Sequence, residues 1–252
     1  MSETIQKVAI VTGGSRGIGA AIAEILAKKG WSVMLVARTE ETLAQKANEI
    51  AKTGGTVSYV VGDVKAMQTA TECVEATLET FGRIDALVHA AGILGKPASF
   101  ADISIDEWQD LFATNLTSIF LLSQKAIPHM QSDGNILNIA SVDGLTGNVR
   151  APAYAASKAG VISLTKSLAL TYAPKIRVNA ISPGLIDTDF IRSQMQSSPE
   201  TAQKTLAKLA SSFPMQRLGT PQDVAQLAAF ILSDEASWLT GSIINLDGGA
   251  LA

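Results

Sequence analysis

Cysteine is almost absent from this 252-residue chain, and the single Cys73 has no partner for an internal disulfide. Two histidines and that one thiol match no usual zinc spacing, so a metal-held fold is not expected either. A reducing, cytoplasmic setting suits such a composition. Charged residues make up 17% of the chain, below the ~25% usual for globular proteins. Part of the surface is therefore expected to be apolar, as where subunits of a homo-oligomer meet. Twenty Lys and Arg stand against 23 Asp and Glu, for a net charge of −3. Without a basic excess to displace counterions, nucleic acid is not an expected partner. No apolar run approaches the ~18 residues of a membrane span. The opening MSETIQKVAIVTGG holds only the short apolar run Val8 to Val11, too little for a signal-peptide core.

What is present is regular alternation. Short β-branched runs occur at Val8 to Val11, Val33 to Val36, Thr56 to Val61, Ala86 to Val88, Ile136 to Ile139, Arg177 to Ile181 and Ile243 to Leu246. Between the early ones, Ile18, Ile22, Ile25 and Leu26, and then Leu43, Ala47 and Ile50, carry the spacing of one-sided helices. Strand, helix, strand in succession predicts a parallel sheet covered on both faces. With right-handed crossovers, the α/β reading is one Rossmann-type, doubly wound domain of seven strands spanning residues 1–252. One long irregular segment, Leu185 to Pro214, reads as a lid. Cys73, beside Ala70, Val74 and Leu78, reads as packing on a helix.

After the first run comes Thr12-Gly13-Gly14-Ser15-Arg16-Gly17-Ile18-Gly19, leading straight into a helical pattern. Glycines permit a tight turn and let a pyrophosphate reach backbone N–H groups at a helix's positive end. A carboxylate for ribose hydroxyls is expected at the end of the second strand, but Ala37 stands there, followed by Arg38. Glu40 and Glu41 fall in the first turn of the next helix, where they suit its dipole. Arg16 and Arg38 are placed to clamp a ribose 2′-phosphate, the alternative being two solvated arginines.

Further on, Tyr154 and Lys158 are four residues apart in a helical pattern, so their side chains share one face. A tyrosine titrates near pH 10, and an ammonium ~4 Å away at an effective dielectric of ~20 supplies about 4 kcal/mol before desolvation. One lysine is thus enough in principle to bring the phenol toward neutral chemistry. Ser141 ends the fifth strand at the carboxyl edge, where parallel sheets bind ligands and a hydroxyl can stabilise charge on a carbonyl oxygen. Asn115 interrupts the apolar helical run Leu111 to Leu122, where asparagine lowers helix propensity.

The loop and these four residues together resemble the short-chain dehydrogenase/reductase family, whose loop reads T-G-x-x-x-G-x-G. The likeness runs from Lys7 to Ala250. It implies that Asn115, Ser141, Tyr154 and Lys158 form a catalytic tetrad, with Asn115 serving an ordered water beside Lys158. It implies NADP(H) held by Gly13, Ser15, Arg16, Gly17, Ile18, Gly19, Arg38, Asp63, Val64, Ala91, Gly92, Tyr154, Lys158, Pro183, Gly184, Ile186 and Thr188. Within that set Asp63 meets the adenine amino group, although it also suits a helix N-cap near Lys65. Thr188 meets the nicotinamide carboxamide. His89-Ala90 stands where the family has an Asn pair, and His89 reads as a satisfied core residue without a chemical role. The ending from Phe213 to Pro221 is most similar to 3-oxoacyl-acyl-carrier-protein reductases, which implies a homotetramer and an acyl carrier protein as possible partner.

The expected activity is hydride transfer to a ketone or aldehyde with a proton from Tyr154, on a 3-oxoacyl thioester. A small free ketone or secondary alcohol is the alternative, with Leu94, Leu145 and Phe190 as an apolar wall. A cofactor-bound regulatory protein without turnover is the alternative of another class. Exposed Arg150 reads either as a solvated charge or as a recruiter of an anionic or phosphopantetheine-bearing substrate. In fluorescence titrations NADPH is predicted to bind about tenfold more tightly than NADH, equivalent to ~1 to 2 kcal/mol for an arginine–phosphate contact. The double change Ala37→Asp with Arg38→Ala should reverse that order; equal affinities in the wild type contradict the assignment.

Overall fold

Residues Val8–Thr12 form the first strand, β1, in which Ala9 and Val11 enter one core and Ile10 another. All three are fully buried, which requires cover on both faces of the sheet. The computed structural model describes residues 6–188, 191–192 and 199–252. The other strands are β2 (Ser32–Ala37), β3 (Thr56–Val61), β4 (Ile84–His89), β5 (Met130–Ile139), β6 (Ile176–Pro183) and β7 (Ile243–Leu246). They form one seven-stranded sheet in the order β3-β2-β1-β4-β5-β6-β7, with every pairing parallel. The chain reverses its direction of growth between β1 and β4, leaving a crevice at their carboxyl ends.

Helices α1 (Gly17–Lys28), α2 (Glu40–Lys52) and, near the C-terminus, α9 (Pro221–Leu232) supply Ile22, Leu26, Leu43, Ile50, Val224 and Ile231 to one core. On the other face α3 (Met67–Phe81) and α5 (Ser118–Ala126) contribute Val74 and Leu122, which pack with Ile10, Met34 and Leu87. Each such side chain contributes roughly 1.5–3 kcal/mol when fully buried. Cys73 belongs to this second core, and burial pushes its thiol up to about 12, as expected of a packing residue. Helix α7 (Pro152–Tyr172) brings Tyr154 and Lys158 to the crevice, α4 (Ile105–Phe112) and α6 (Asp143–Thr146) pack on α7, and α8 (Pro199–Ala210) lies in the segment expected to be a lid. Of that segment, residues 189–190 and 193–198, including Phe190 of the expected apolar wall, lie outside the described residues.

Two boundaries differ from the sequence expectation. Strand β5 begins at Met130, because Met130 pairs with Ile84 ahead of a register shift and Asp133, at φ 69°, carries the chain across the irregularity. No apolar periodicity marks Gln131 to Asp133, which are exposed. The run from Leu111 to Leu122 is also not one α-helix: α4 ends at Phe112, and Ala113–Thr117 form a π-helical turn before α5. Such turns cost regular hydrogen bonding and cluster at functional positions.

Candidate active site

The loop between β1 and α1 lies in the crevice at the switch point. Gly13 has φ +66°, and a Cβ there would lie 2.9 Å from the Ala91 nitrogen, so the turn can pack on the end of β4 only as glycine. Gly17, at φ +58°, has only Thr188 near, at 3.8 Å, which leaves an open cradle over the helix start. No side chain caps α1, so its first amides remain available to an anion. The loop is braced from beneath by Thr12, whose Oγ1 accepts from the backbone N–H groups of Ala90 and Ala91, each at 3.2 Å.

One continuous cleft runs from this loop across the sheet edge. Gly13, Ser15, Arg16, Gly17, Ile18 and Gly19 line it together with Arg38, Asp63, Val64, Ala91 and Gly92. At its far end lie Ser141, Tyr154, Lys158, Pro183, Gly184, Ile186 and Thr188. Every residue that sequence reasoning assigned to the cofactor thus faces the same space. Arg16 and Arg38 make no ion pair among the described residues, while Glu40 and Glu41 sit exposed in the first turn of α2. An open glycine cradle, free helix amides and two unpaired guanidiniums fit a dinucleotide carrying an additional phosphate.

The N-cap reading of Asp63 needs correction. Helix α3 starts at Met67, capped by Ala66 without a side-chain bond, whereas Asp63 Oδ1 accepts from the Lys65 N–H at 3.0 Å. The carboxylate therefore closes a local turn ahead of the helix.

At the catalytic end, β5 stops at Ile139 and Ser141 follows two residues later, just beyond the strand rather than closing it. Its Oγ accepts from the Asp143 N–H at 3.2 Å, which leaves the hydroxyl proton free to donate. Lys158 is 5% exposed and its Nζ donates to the Ile139 carbonyl at 2.7 Å. Nζ lies 5.7 Å from the centroid of the Tyr154 ring. Burial pulls the Lys158 ammonium down to about 8. Burial pushes the Tyr154 phenol up to about 12, opposed by its hydrogen bond to Ser141 and reinforced by the Asp143 charge. The direction at Tyr154 is set by burial, so the depression that one lysine can supply in principle is not seen here.

Asn115 stands behind the cleft wall, in the π-turn. Its Oδ1 accepts from Ile93 N–H at 2.8 Å, and its Nδ2 donates to Ile93 O at 2.9 Å and to Ser157 Oγ at 3.0 Å. Ser157 Oγ in turn donates to the Tyr154 carbonyl at 2.7 Å. Sequence reasoning missed Ser157, although its place between Tyr154 and Lys158 on a buried helix face was a usable signal. Leu145 of the expected apolar wall is 44% exposed on α6.

The family model described as Enoyl-(Acyl carrier protein) reductase matches residues 13–250 of this chain. The 3-oxoacyl-[acyl-carrier-protein] reductase of Thermotoga maritima is 37% identical over 246 residues, covering 96% of this chain and 97% of that protein. The chain belongs to the short-chain dehydrogenase/reductase family. Among solved structures of that family, the short-chain dehydrogenase/reductase described as a glucose/ribitol dehydrogenase from Brucella melitensis superposes with a TM-score of 0.90 at 31% identity, covering 99% of this chain and 98% of that one. The L-sorbose reductase of Gluconobacter frateurii, solved with NADPH and L-sorbose, gives a TM-score of 0.92 at 31% identity, over 98% of this chain and 97% of that one. As a short-chain dehydrogenase/reductase, the protein is an oxidoreductase, and its family uses a nicotinamide cofactor.

His89 is the departure from the family pattern with the clearest physical consequence. It is 3% exposed, its Nε2 lies 3.1 Å from Ser123 Oγ, and burial pushes its imidazole down to about 3. It is a satisfied core residue, as the sequence suggested. Between pH about 6.5 and about 3 the unfolded chain binds a proton that the folded protein refuses, so stability falls on acidification through that window. One such proton contributes a slope of up to ~1.4 kcal/mol per pH unit. Urea unfolding at about pH 6 and about pH 4 should show a smaller acid loss for His89→Asn than for the wild type. Equal losses contradict the assignment.

Proposed function

We propose that the protein is an NADP(H)-dependent carbonyl reductase whose proton donor is Tyr154. The observation that carries this reading is the convergence of Ser141, Tyr154 and Lys158 on one end of the cleft, with the Lys158 ammonium seated on the Ile139 carbonyl. A nicotinamide bound in the cleft supplies the hydride for a carbonyl carbon. Ser141 donates its hydroxyl proton to the carbonyl oxygen and stabilises the charge that develops there. Tyr154, held protonated at neutral pH by its burial, delivers the proton that converts alkoxide to alcohol. Lys158 spends one N–H on Ile139 O and turns the others toward the cleft, where they orient a ribose and favour the phenolate left after transfer. Asn115 and Ser157 hold the turn that carries Tyr154.

The unpaired Arg16 and Arg38, and the absence of a carboxylate at Ala37, support NADP(H) over NAD(H). A 3-oxoacyl thioester substrate is supported by relatives named 3-oxoacyl-[acyl-carrier-protein] reductases. For an acyl carrier protein, the exposed Arg150 offers a guanidinium; its carbonyl accepts from Ala98 N–H at 3.3 Å, which ties the loop before α7 to the loop after β4. A small free ketone is the second reading, favoured by a carboxylate, Asp143, beside the reacting groups. The family likeness supports a homotetramer, and the lone buried thiol suits the cytoplasm. Among the described residues no helix is long and apolar enough to cross a membrane. The retained Ser141, Tyr154 and Lys158 weigh against a regulatory protein without turnover.

Tyr154→Phe is expected to lower kcat by at least ~10²-fold with NADPH and a reducible ketone, with NADPH affinity held close to wild type. Lys158→Ala should weaken both turnover and NADPH binding. Near-normal turnover of Tyr154→Phe contradicts the mechanism.

A further inference from the structure

We propose that Asp143 is a specificity-determining acceptor, selecting carbonyl substrates that carry a hydrogen-bond donor, a hydroxyl or an ammonium, next to the reacting carbonyl. This rests on the carbonyl-reductase reading and names the substrate class of that same site. The argument begins with α6, the single turn of Asp143–Thr146 between Ser141 and α7. A Cβ on Gly144 would lie 2.7 Å from the Lys158 carbonyl carbon, so this turn packs directly on the backbone of the helix that carries Tyr154 and Lys158. The Asp143 N–H is bonded to Ser141 Oγ at 3.2 Å. Asp143 thereby begins where the reactive hydroxyl ends.

Its carboxylate is held in place. Asn148 Nδ2 donates to Asp143 Oδ2 at 2.9 Å, and Asn148 Oδ1 accepts from the Arg150 N–H at 2.9 Å, so the amide is itself fixed by the loop that leads into α7. Oδ1 of Asp143 has no hydrogen-bond partner among the described residues, and no cation pairs with the carboxylate. The residue is half-buried. The Asp143 N–H lies 3.2 Å from Ser141 Oγ, and the Asp143 charge raises the Tyr154 phenol, so the residue stands beside both hydroxyls. A half-buried, oriented carboxylate with an open oxygen binds a donor strongly and repels an anion. A substrate hydroxyl or ammonium adjacent to the carbonyl meets this oxygen while Ser141 and Tyr154 hold the carbonyl. A carboxylate in the same place meets like charge. If Asp143 serves only the dipole of its own short helix, its open oxygen faces water and substrate choice is indifferent to it.

The test uses the wild type and Asp143→Asn with NADPH on four ketones of one skeleton: acetone, hydroxyacetone, aminoacetone and pyruvate. Asn keeps an oxygen for Asn148 and removes the charge. The wild type is expected to prefer hydroxyacetone and aminoacetone to acetone in kcat/KM, and to use pyruvate least. In Asp143→Asn the preference ratio for hydroxyacetone or aminoacetone over acetone should fall about tenfold, mainly through KM, and the ratio of pyruvate to acetone should rise. A larger fall for aminoacetone identifies the ammonium as the selected donor; a fall confined to hydroxyacetone identifies the hydroxyl. Unchanged ratios, or an equal loss on all four ketones, overturn the proposal while leaving the reductase reading intact. Reduction of a 3-oxobutanoyl thioester without turnover of any of the four also overturns it alone. No turnover of any carbonyl overturns both.

Discussion

The site depends on a buried ammonium that has exchanged water for one main-chain carbonyl. Lys158 is 5% exposed, and desolvation opposes its charge, yet its bond to Ile139 O is short at 2.7 Å. That bond joins the end of β5 to the second turn of α7, and the two hydroxyls proposed to act on substrate flank it: Ser141 lies two residues beyond Ile139, and Tyr154 one turn before Lys158. The Asn115–Ser157 contact holds the same turn from the opposite side, from a π-turn whose irregularity lets the asparagine amide reach both polar groups of Ile93. The irregular backbone in the core thereby fixes the turn that carries Tyr154.

Much of this was legible in the sequence because it is periodic or local. Seven β-branched runs mark seven strands, and the loop from Thr12 to Gly19 marks the switch point by its glycines and by its position between a strand and a helix. Tyr154 and Lys158 share a face because helical spacing places them there. The parts that were not legible depend on contacts between distant segments. The π-turn brings the Asn115 amide onto both backbone polar groups of Ile93, 22 residues away, and onto Ser157 Oγ. The local turn closed by Asp63 and the early start of β5 were missed because boundaries follow tertiary pairing more than composition. The dominance of burial at Tyr154 also lies outside the sequence, since spacing sets proximity but not the water excluded.

Charge is distributed unevenly along the cleft, and that asymmetry divides its work. Arg16 and Arg38 lie unpaired at one end, where the glycine loop and free helix amides favour phosphate. At the other end Ser141 Oγ accepts from the N–H of Asp143, whose carboxylate is clamped by Asn148. The first end suits the phosphates of a nicotinamide cofactor, and the charge at the second bears on the carbonyl compound proposed to bind there. Relatives of this chain include proteins named for 3-oxoacyl thioesters and for sugars, so the shared scaffold leaves substrate choice to residues such as Asp143 that fall outside the common motif.

The cleft is proposed to pass a hydride from NADPH to a carbonyl carbon, with Tyr154 supplying the proton. The most direct test is a single-turnover reaction of wild-type protein with NADPH stereospecifically deuterated at nicotinamide C4, each C4 epimer in turn, followed by mass analysis of the alcohol. One epimer is predicted to place a single deuterium on the carbinol carbon, with slowed oxidation of the nicotinamide. Oxidation of NADPH without deuterium in the alcohol from either epimer would contradict the account.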